Sequence, residues 1–192
     1  MSMQAKKENP HQAEVYATLM AHSRGQDNDH ILACILSSWQ SGEGALPNWL
    51  GLMQGEFLEL MAFHYPGFNH ASLTNPGFDP DAERLDESGE LHQLLTTHCH
   101  GKSPSEQWMA KIVVHACQGQ DHLWQDLGLW SRKDLSQLML QNFPGLAARN
   151  DKDMKWKKFL YKQLCIAEGI YTCRAPSCEV CVDYAQCFGS EE

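Results

Sequence analysis

The chain has 192 residues, of which 43% are hydrophobic, and a formal net charge of −9 at pH 7. This length suits one domain with its own apolar core, so the eight cysteines are not needed as covalent staples. The acidic balance excludes broad nucleic-acid binding, which requires a basic surface. The sequence has no membrane helix of roughly 18 apolar residues and no apolar signal segment at residues 1–12, which predicts a cytoplasmic protein without a membrane partner.

The first half of the chain has apolar residues at helical spacing. They recur at Val15 and Leu19 with His22, at Ile31, Ile35 and Leu36, and at Leu52, Phe57, Leu60 and Met61. Asp27 and Asp29 are candidate N-caps for the second of these helices. Residues 66–81 are rich in Pro, Gly and Asn, which predicts a long loop.

The second half continues the helical pattern. Helices are predicted over residues 85–99 and 105–117, and a last one over about 154–168 with Trp156, Phe159, Leu160 and Leu164 on one side. Ser131 begins a capping-box-like sequence that leads into Leu135, Leu138 and Leu140. We therefore predict an all-α fold, with six or seven helices in one domain (1–168) and a cysteine-rich, cluster-binding loop at the C-terminus (169–192).

Four of the cysteines lie within fifteen residues near the C-terminus: Cys173, Cys178, Cys181 and Cys187. Their C-x4-C-x2-C-x5-C spacing places four thiolates close enough to surround one metal centre, and thiolate selects zinc, copper(I) or iron–sulfur clusters. The first three reproduce the C-x4-C-x2-C spacing of plant-type ferredoxins, whereas structural zinc sites usually have two separated pairs. The spacing favours a metal–sulfur cluster, with a zinc site and metal-free thiols as the alternatives.

Two further groups combine imidazole and thiol side chains. His98 and His100 flank Cys99, and Gly119 permits a turn between Cys117 and a later histidine. Because imidazole and thiolate both bind transition metals, these groups supply candidate additional metal ligands: His98, His100, His115, Cys117 and His122. The alternative is structural, since a lone cysteine in an apolar helix is usually a core residue.

A basic segment precedes the four cysteines. Residues 149–162 contain six Lys and Arg residues against two Asp, so this segment carries a net charge of +4. Lys155, Lys158 and Lys162 lie at i, i+3 and i+7 and are predicted to share one helical face. Such a face can dock an acidic partner or an oxyanion, and the alternative is an ordinary solvated surface.

Three segments together resemble the NifQ family of nitrogen-fixation accessory proteins: D-H-L-W-Q-D-L-G-L-W (121–130), M-K-W-K-K-F-L-Y-K-Q-L-C (154–165) and the final C-x4-C-x2-C-x5-C-F-G. The resemblance is clear over about residues 105–189. It implies a carrier of a molybdenum–iron–sulfur cluster of the Mo–Fe3–S4 type, which passes molybdenum to the proteins that assemble the nitrogenase iron–molybdenum cofactor. The implied cluster ligands are Cys173, Cys178, Cys181 and Cys187, and the implied molybdenum source is molybdate or another molybdenum compound.

Two other functions fit the residues: an iron–sulfur electron-transfer protein and a zinc-stabilised interaction module. The sequence contains no phosphate-binding glycine loop and no G-x-S-x-G motif. No catalytic set is identified beyond the thiols, so we do not expect an enzyme.

Overall fold

A computed structural model describes residues 9–75, 88–167, 169 and 187–188. This part of the chain contains no strand and consists of nine α-helices and two 3₁₀ turns, Asn48–Gly51 and His70–Ser72. The helices are α1 (Pro10–Ala21), α2 (Asp29–Gln40), α3 (Gln54–His64), α4 (Ser88–Thr97), α5 (Ser105–Cys117), α6 (Leu123–Asp126), α7 (Arg132–Asn142), α8 (Pro144–Arg149) and α9 (Trp156–Ala167).

The all-α prediction is confirmed, but the predicted count of six or seven helices is too low for the described residues. The two missed helices are α6 and α8, which have only four and six residues. Elements of that length span at most two helical turns, so their apolar residues do not establish a period. The predicted domain boundary at 168/169 falls at the edge of the described residues and stays a prediction.

Helices α2 and α5 form the centre of the core. Ten of the twelve residues of α2 and nine of the thirteen residues of α5 are buried. A helix buried around most of its circumference belongs in the interior, and here α1 packs on α2 while α4 packs on α5. With at most thirteen residues, the helices that the structure describes are all too short to cross a bilayer.

The helix starts show where local sequence was informative. Ser131 is the N-cap of α7, as predicted, because its Oγ accepts a hydrogen bond of 3.2 Å from the N–H of Asp134. The N-cap of α2 is Asn28, whereas Asp29 is the first helical residue. The Asp29 carboxylate instead accepts hydrogen bonds from a distant histidine and from the Gln26 N–H, which explains why the predicted cap is wrong.

Helix α9 joins the end of the chain to the core. Its inward side carries the four predicted apolar residues: Trp156, Phe159, Leu160 and Leu164. Just before the helix, the N–H of Lys155 donates a 2.8 Å hydrogen bond to the carbonyl of Cys187. Phe188 is only 5% exposed and packs with the core. The described C-terminal residues are therefore held at the N-terminus of α9.

Candidate functional site

Cys187 is the predicted cluster ligand that lies within the described residues, whereas Cys173, Cys178 and Cys181 lie outside them. Cys187 is half-buried, and its carbonyl is fixed by the N–H of Lys155. The N-terminus of a helix carries a partial positive charge from its unpaired N–H groups. The backbone carbonyl of Cys187 therefore accepts from an N–H at the start of α9.

The predicted group around Cys99 is tied into the fold by local hydrogen bonds. His98 Nδ1 lies 2.8 Å from the Leu94 carbonyl, and the backbone N–H of His100 donates to the Asn142 carbonyl at 3.0 Å. Burial, and secondarily the charge of Glu106, raises the pKa of Cys99 to about 11. Burial therefore disfavours the thiolate form of Cys99, the form that binds metal.

The second predicted group is not assembled as one site. Burial raises the pKa of Cys117 to about 12, and its side chain is enclosed in the core. The ring of His115 packs on Gly51, where a Cβ atom would collide with it, and burial lowers the pKa of His115. His122 starts α6, and its N–H donates to Gln125 Oε1 at 3.2 Å.

Among the residues that the structure describes, no group of three His, Cys, Asp or Glu side chains is arranged to hold a metal ion. A metal-binding role for His98, His100, His115, Cys117 and His122 stays a prediction, because three of the four cysteines lie outside the described residues.

The structure divides the basic segment into two classes of lysine. Lys158 and Lys162 are exposed on α9, while Lys155 precedes the helix and is partly buried. Lys157 points into the protein, where its Nζ contacts the Asp126 carboxylate and donates to the Gly119 carbonyl at 2.9 Å. Burial raises the pKa of Asp126, and the pairing with Lys157 opposes that shift. Lys157 is therefore structural, and Lys158 and Lys162 form the exposed cationic face.

Three buried polar residues form a chain of hydrogen bonds that the sequence did not reveal. His64 Nδ1 lies 2.6 Å from Asp29 Oδ1, and His64 Nε2 lies 2.8 Å from Ser105 Oγ. All three side chains belong to residues that are at most 2% exposed. The partners lie 35 and 41 positions apart in the sequence, so no local motif connects them.

Two asparagines extend this cluster. Asn28 Nδ2 donates to Ser105 Oγ at 2.9 Å and to Asn142 Oδ1 at 2.8 Å. Asn142 Nδ2 donates to Asn28 Oδ1 at 2.9 Å and to the Leu138 carbonyl at 2.8 Å. The cluster therefore links α3, α5 and α7 to the start of α2.

Comparison with known proteins gives consistent matches along most of the chain. The NifQ family model matches residues 31–189. The chain is 44% identical to "Protein NifQ" of Azotobacter vinelandii over 184 residues, which cover 91% of this chain and 94% of that protein. It is 36% identical to the "Protein NifQ homolog" of Sinorhizobium fredii, with coverage of 86% and 73%, and 34% identical to "Protein NifQ" of Rhodobacter capsulatus, with coverage of 84% and 87%.

No solved structure matches the chain. The family match begins at residue 31, so it extends the resemblance seen over about residues 105–189 into the N-terminal helices. The chain therefore belongs to the NifQ family of nitrogen-fixation proteins.

Proposed function

We propose that the chain is a carrier whose cargo is a molybdenum–iron–sulfur cluster, and that it donates molybdenum for synthesis of the nitrogenase iron–molybdenum cofactor. The observation that carries this proposal is the C-x4-C-x2-C-x5-C motif in a member of the NifQ family. Its ligands are Cys173, Cys178, Cys181 and Cys187. Its partners are a molybdenum source such as molybdate and the cytoplasmic proteins that assemble the cofactor.

The chemistry of the donor set suits this cargo. Thiolates are soft ligands that bind iron in clusters, and four of them in one short segment can enclose a single cluster. A carrier must also release its metal, so its binding residues have to be reachable by a second protein. In this proposal the C-terminal cysteines bind and hand over a metal cluster, and this transfer requires no turnover of a substrate.

Anaerobic purification followed by metal quantification and absorption spectroscopy tests the proposal. We expect molybdenum, iron and sulfide together with a visible chromophore. Iron and sulfide without molybdenum would instead indicate an electron-transfer protein. Zinc without a chromophore would indicate a zinc-stabilised interaction module.

Single Cys→Ala variants at positions 173, 178, 181 and 187 test the ligand set. Each should lower both iron and molybdenum content while the far-UV circular dichroism is retained, because the described helices have their own core. Cys34→Ala is the matched control, since Cys34 is fully buried in α2 and burial raises its pKa to about 12. Wild-type metal content in two of the four variants would contradict the four-ligand assignment.

Histidine variants test whether molybdenum has a further protein ligand. We propose the exposed His100 and the half-exposed His122 as the first to change, because both are reachable without opening the core. His→Gln should lower molybdenum while sparing iron if these side chains face molybdenum. Equal loss of both metals, or no loss, would assign them to the fold alone.

A further inference from the structure

A cavity of about 140 Å³ lies beside the buried Asp29–His64–Ser105 chain of hydrogen bonds. Its lining includes His64, Ser105, Asn28, Lys102 and Gln141. The aromatic side chains of Phe63 and Trp108 pack around the histidine, with ring centroids 5.0 and 6.4 Å from that of His64. The imidazole is therefore held in one orientation at the edge of a polar cavity.

The hydrogen bonds determine which atom carries each proton. One end of the Asn142 amide faces the Leu138 carbonyl, which can only accept, so this end is the NH₂ group. The other end is therefore the oxygen, and it accepts from the NH₂ group of Asn28. The same NH₂ group donates to Ser105 Oγ.

Ser105 Oγ can accept a second hydrogen bond beside that from Asn28, so the imidazole decides the direction of its 2.8 Å contact with His64 Nε2. The Asp29 carboxylate can only accept, so a neutral His64 carries its proton on Nδ1, and Nε2 accepts from the Ser105 hydroxyl. This polarity, with serine donating to histidine and histidine donating to a carboxylate, is that of an activated nucleophile.

The surroundings of Asp29 and His64 support this assignment. Asp29 Oδ2 accepts hydrogen bonds from the Ser23 hydroxyl and, at 2.8 Å, from the Gln26 N–H, which leaves Oδ1 for His64. Burial lowers the pKa of His64, against the opposing effect of Asp29. The imidazole is therefore neutral at pH 7 and free to take a proton from Ser105.

We propose that Ser105, His64 and Asp29 serve as nucleophile, general base and orienting carboxylate in a reaction with small acyl compounds such as short-chain esters. Ser105 Oγ attacks the acyl carbon while its proton passes to His64 Nε2, and that proton then goes to the leaving alcohol as the C–O bond breaks. Water attacks the acyl-serine, gives a proton to His64, and the serine recovers this proton as the carboxylic acid leaves. The cavity volume restricts the acyl group to a few heavy atoms.

Methanesulfonyl fluoride is a small probe for this reaction, since the serine oxygen displaces fluoride at sulfur. With the full chain at about pH 8, we expect one adduct by intact mass, located on Ser105 by peptide mapping. Asp29→Asn should slow labelling on the order of 10²-fold or more, as expected when a general base is disabled. Ser105→Ala should abolish it, whereas Ser37→Ala should not, because Ser37 is a buried serine that donates to the Cys34 carbonyl.

A second measurement on the unmodified chain keeps the test valid if a variant fails to fold. p-Nitrophenyl acetate should give a burst of p-nitrophenolate and an acetyl adduct on Ser105, and prior sulfonylation should remove the burst. No adduct on the folded wild type, adducts spread over other residues, or labelling unchanged in a folded Asp29→Asn variant would overturn the proposal. The hydrogen-bonded side chains of Asp29, His64 and Ser105 would then serve only to connect helices α2, α3 and α5.

Discussion

At the scale of single residues, Lys157 joins α9 to α6 and to the segment that precedes α6. Its Nζ contacts the Asp126 carboxylate, which is 4% exposed, and the Gly119 carbonyl at 2.9 Å. Lys157→Met would leave this buried carboxylate without its cation. We therefore expect the free energy of unfolding to fall by about 3 kcal/mol in urea denaturation.

Lys158→Met is the matched control for this prediction. Lys158 is the next residue of α9 and is exposed, so its replacement should change the free energy of unfolding by less than about 0.5 kcal/mol. The double variant Lys157→Met/Asp126→Asn should recover part of the loss, because it removes both charges. Equal stabilities of the Lys157 and Lys158 variants would show that the buried pair contributes nothing.

At the scale of secondary-structure elements, the start of α7 depends on Ser131. The serine Oγ accepts from the Asp134 N–H, one of the helix donors that otherwise lacks a partner. Ser131→Ala should therefore lower the free energy of unfolding by about 1 kcal/mol. Ser136→Ala is the control, since Ser136 is an exposed interior residue of α7 and alanine favours helix. Identical effects of the two changes would contradict the capping role.

The helices that could be predicted from sequence are those whose apolar residues repeat over several turns. Helix α9 shows this directly, since its four predicted core residues are all buried. In α7 the apolar residues do not all face inward, because Leu140 is 63% exposed whereas the neighbouring Met139 is buried. Where two apolar residues are adjacent, as Met139 and Leu140 are, the helical period alone does not show which of them faces the core.

Candidate sites differ in the same way. The four C-terminal cysteines can be recognised from the sequence because they lie close together along the chain. The hydrogen-bonded group of Asp29, His64 and Ser105 cannot be recognised from the sequence, because its residues come from different helices. Each of them resembles an ordinary polar residue in an apolar segment. Only the packing of α2, α3 and α5 brings these side chains together.

At the scale of the whole molecule, the buried His64 and the half-buried His115 make stability depend on pH. Burial is the largest cause that lowers the pKa of His64 and of His115. The unfolded chain binds protons on these residues below about pH 6.5, whereas the folded chain keeps them neutral to lower pH. The contribution of these histidines to the free energy of unfolding should therefore be fully present above about pH 6.5. It should decline as the pH falls below that value.

Urea denaturation between about pH 7.5 and pH 5.5 measures this decline. Each histidine can lower the free energy of unfolding by at most about 1.4 kcal/mol per pH unit. His115→Gln should reduce the slope, because it removes one of the two groups whose pKa is lowered. A stability that stays constant as the pH falls through this range would contradict the prediction.

The distribution of charge over the molecule leads to the last prediction. The chain has a net charge of −9, yet Lys158 and Lys162 are exposed on the helix whose start holds Cys187. If molybdenum transfer uses this face, it attracts an acidic acceptor protein or molybdate by charge. Lys158→Gln/Lys162→Gln should then slow molybdenum loading or delivery at low salt and leave the metal content per loaded chain unchanged.

Arg24→Gln/Lys133→Gln is the control, since it removes two exposed cations outside α9 and changes the net charge equally. The difference between the two variants should shrink as the ionic strength rises past ~0.15 M, where the screening length falls to about 8 Å. Lys155 is left in place because it is partly buried and its N–H holds the Cys187 carbonyl. Loading and delivery rates equal to those of the wild type across the whole salt series would make this face an ordinary solvated surface.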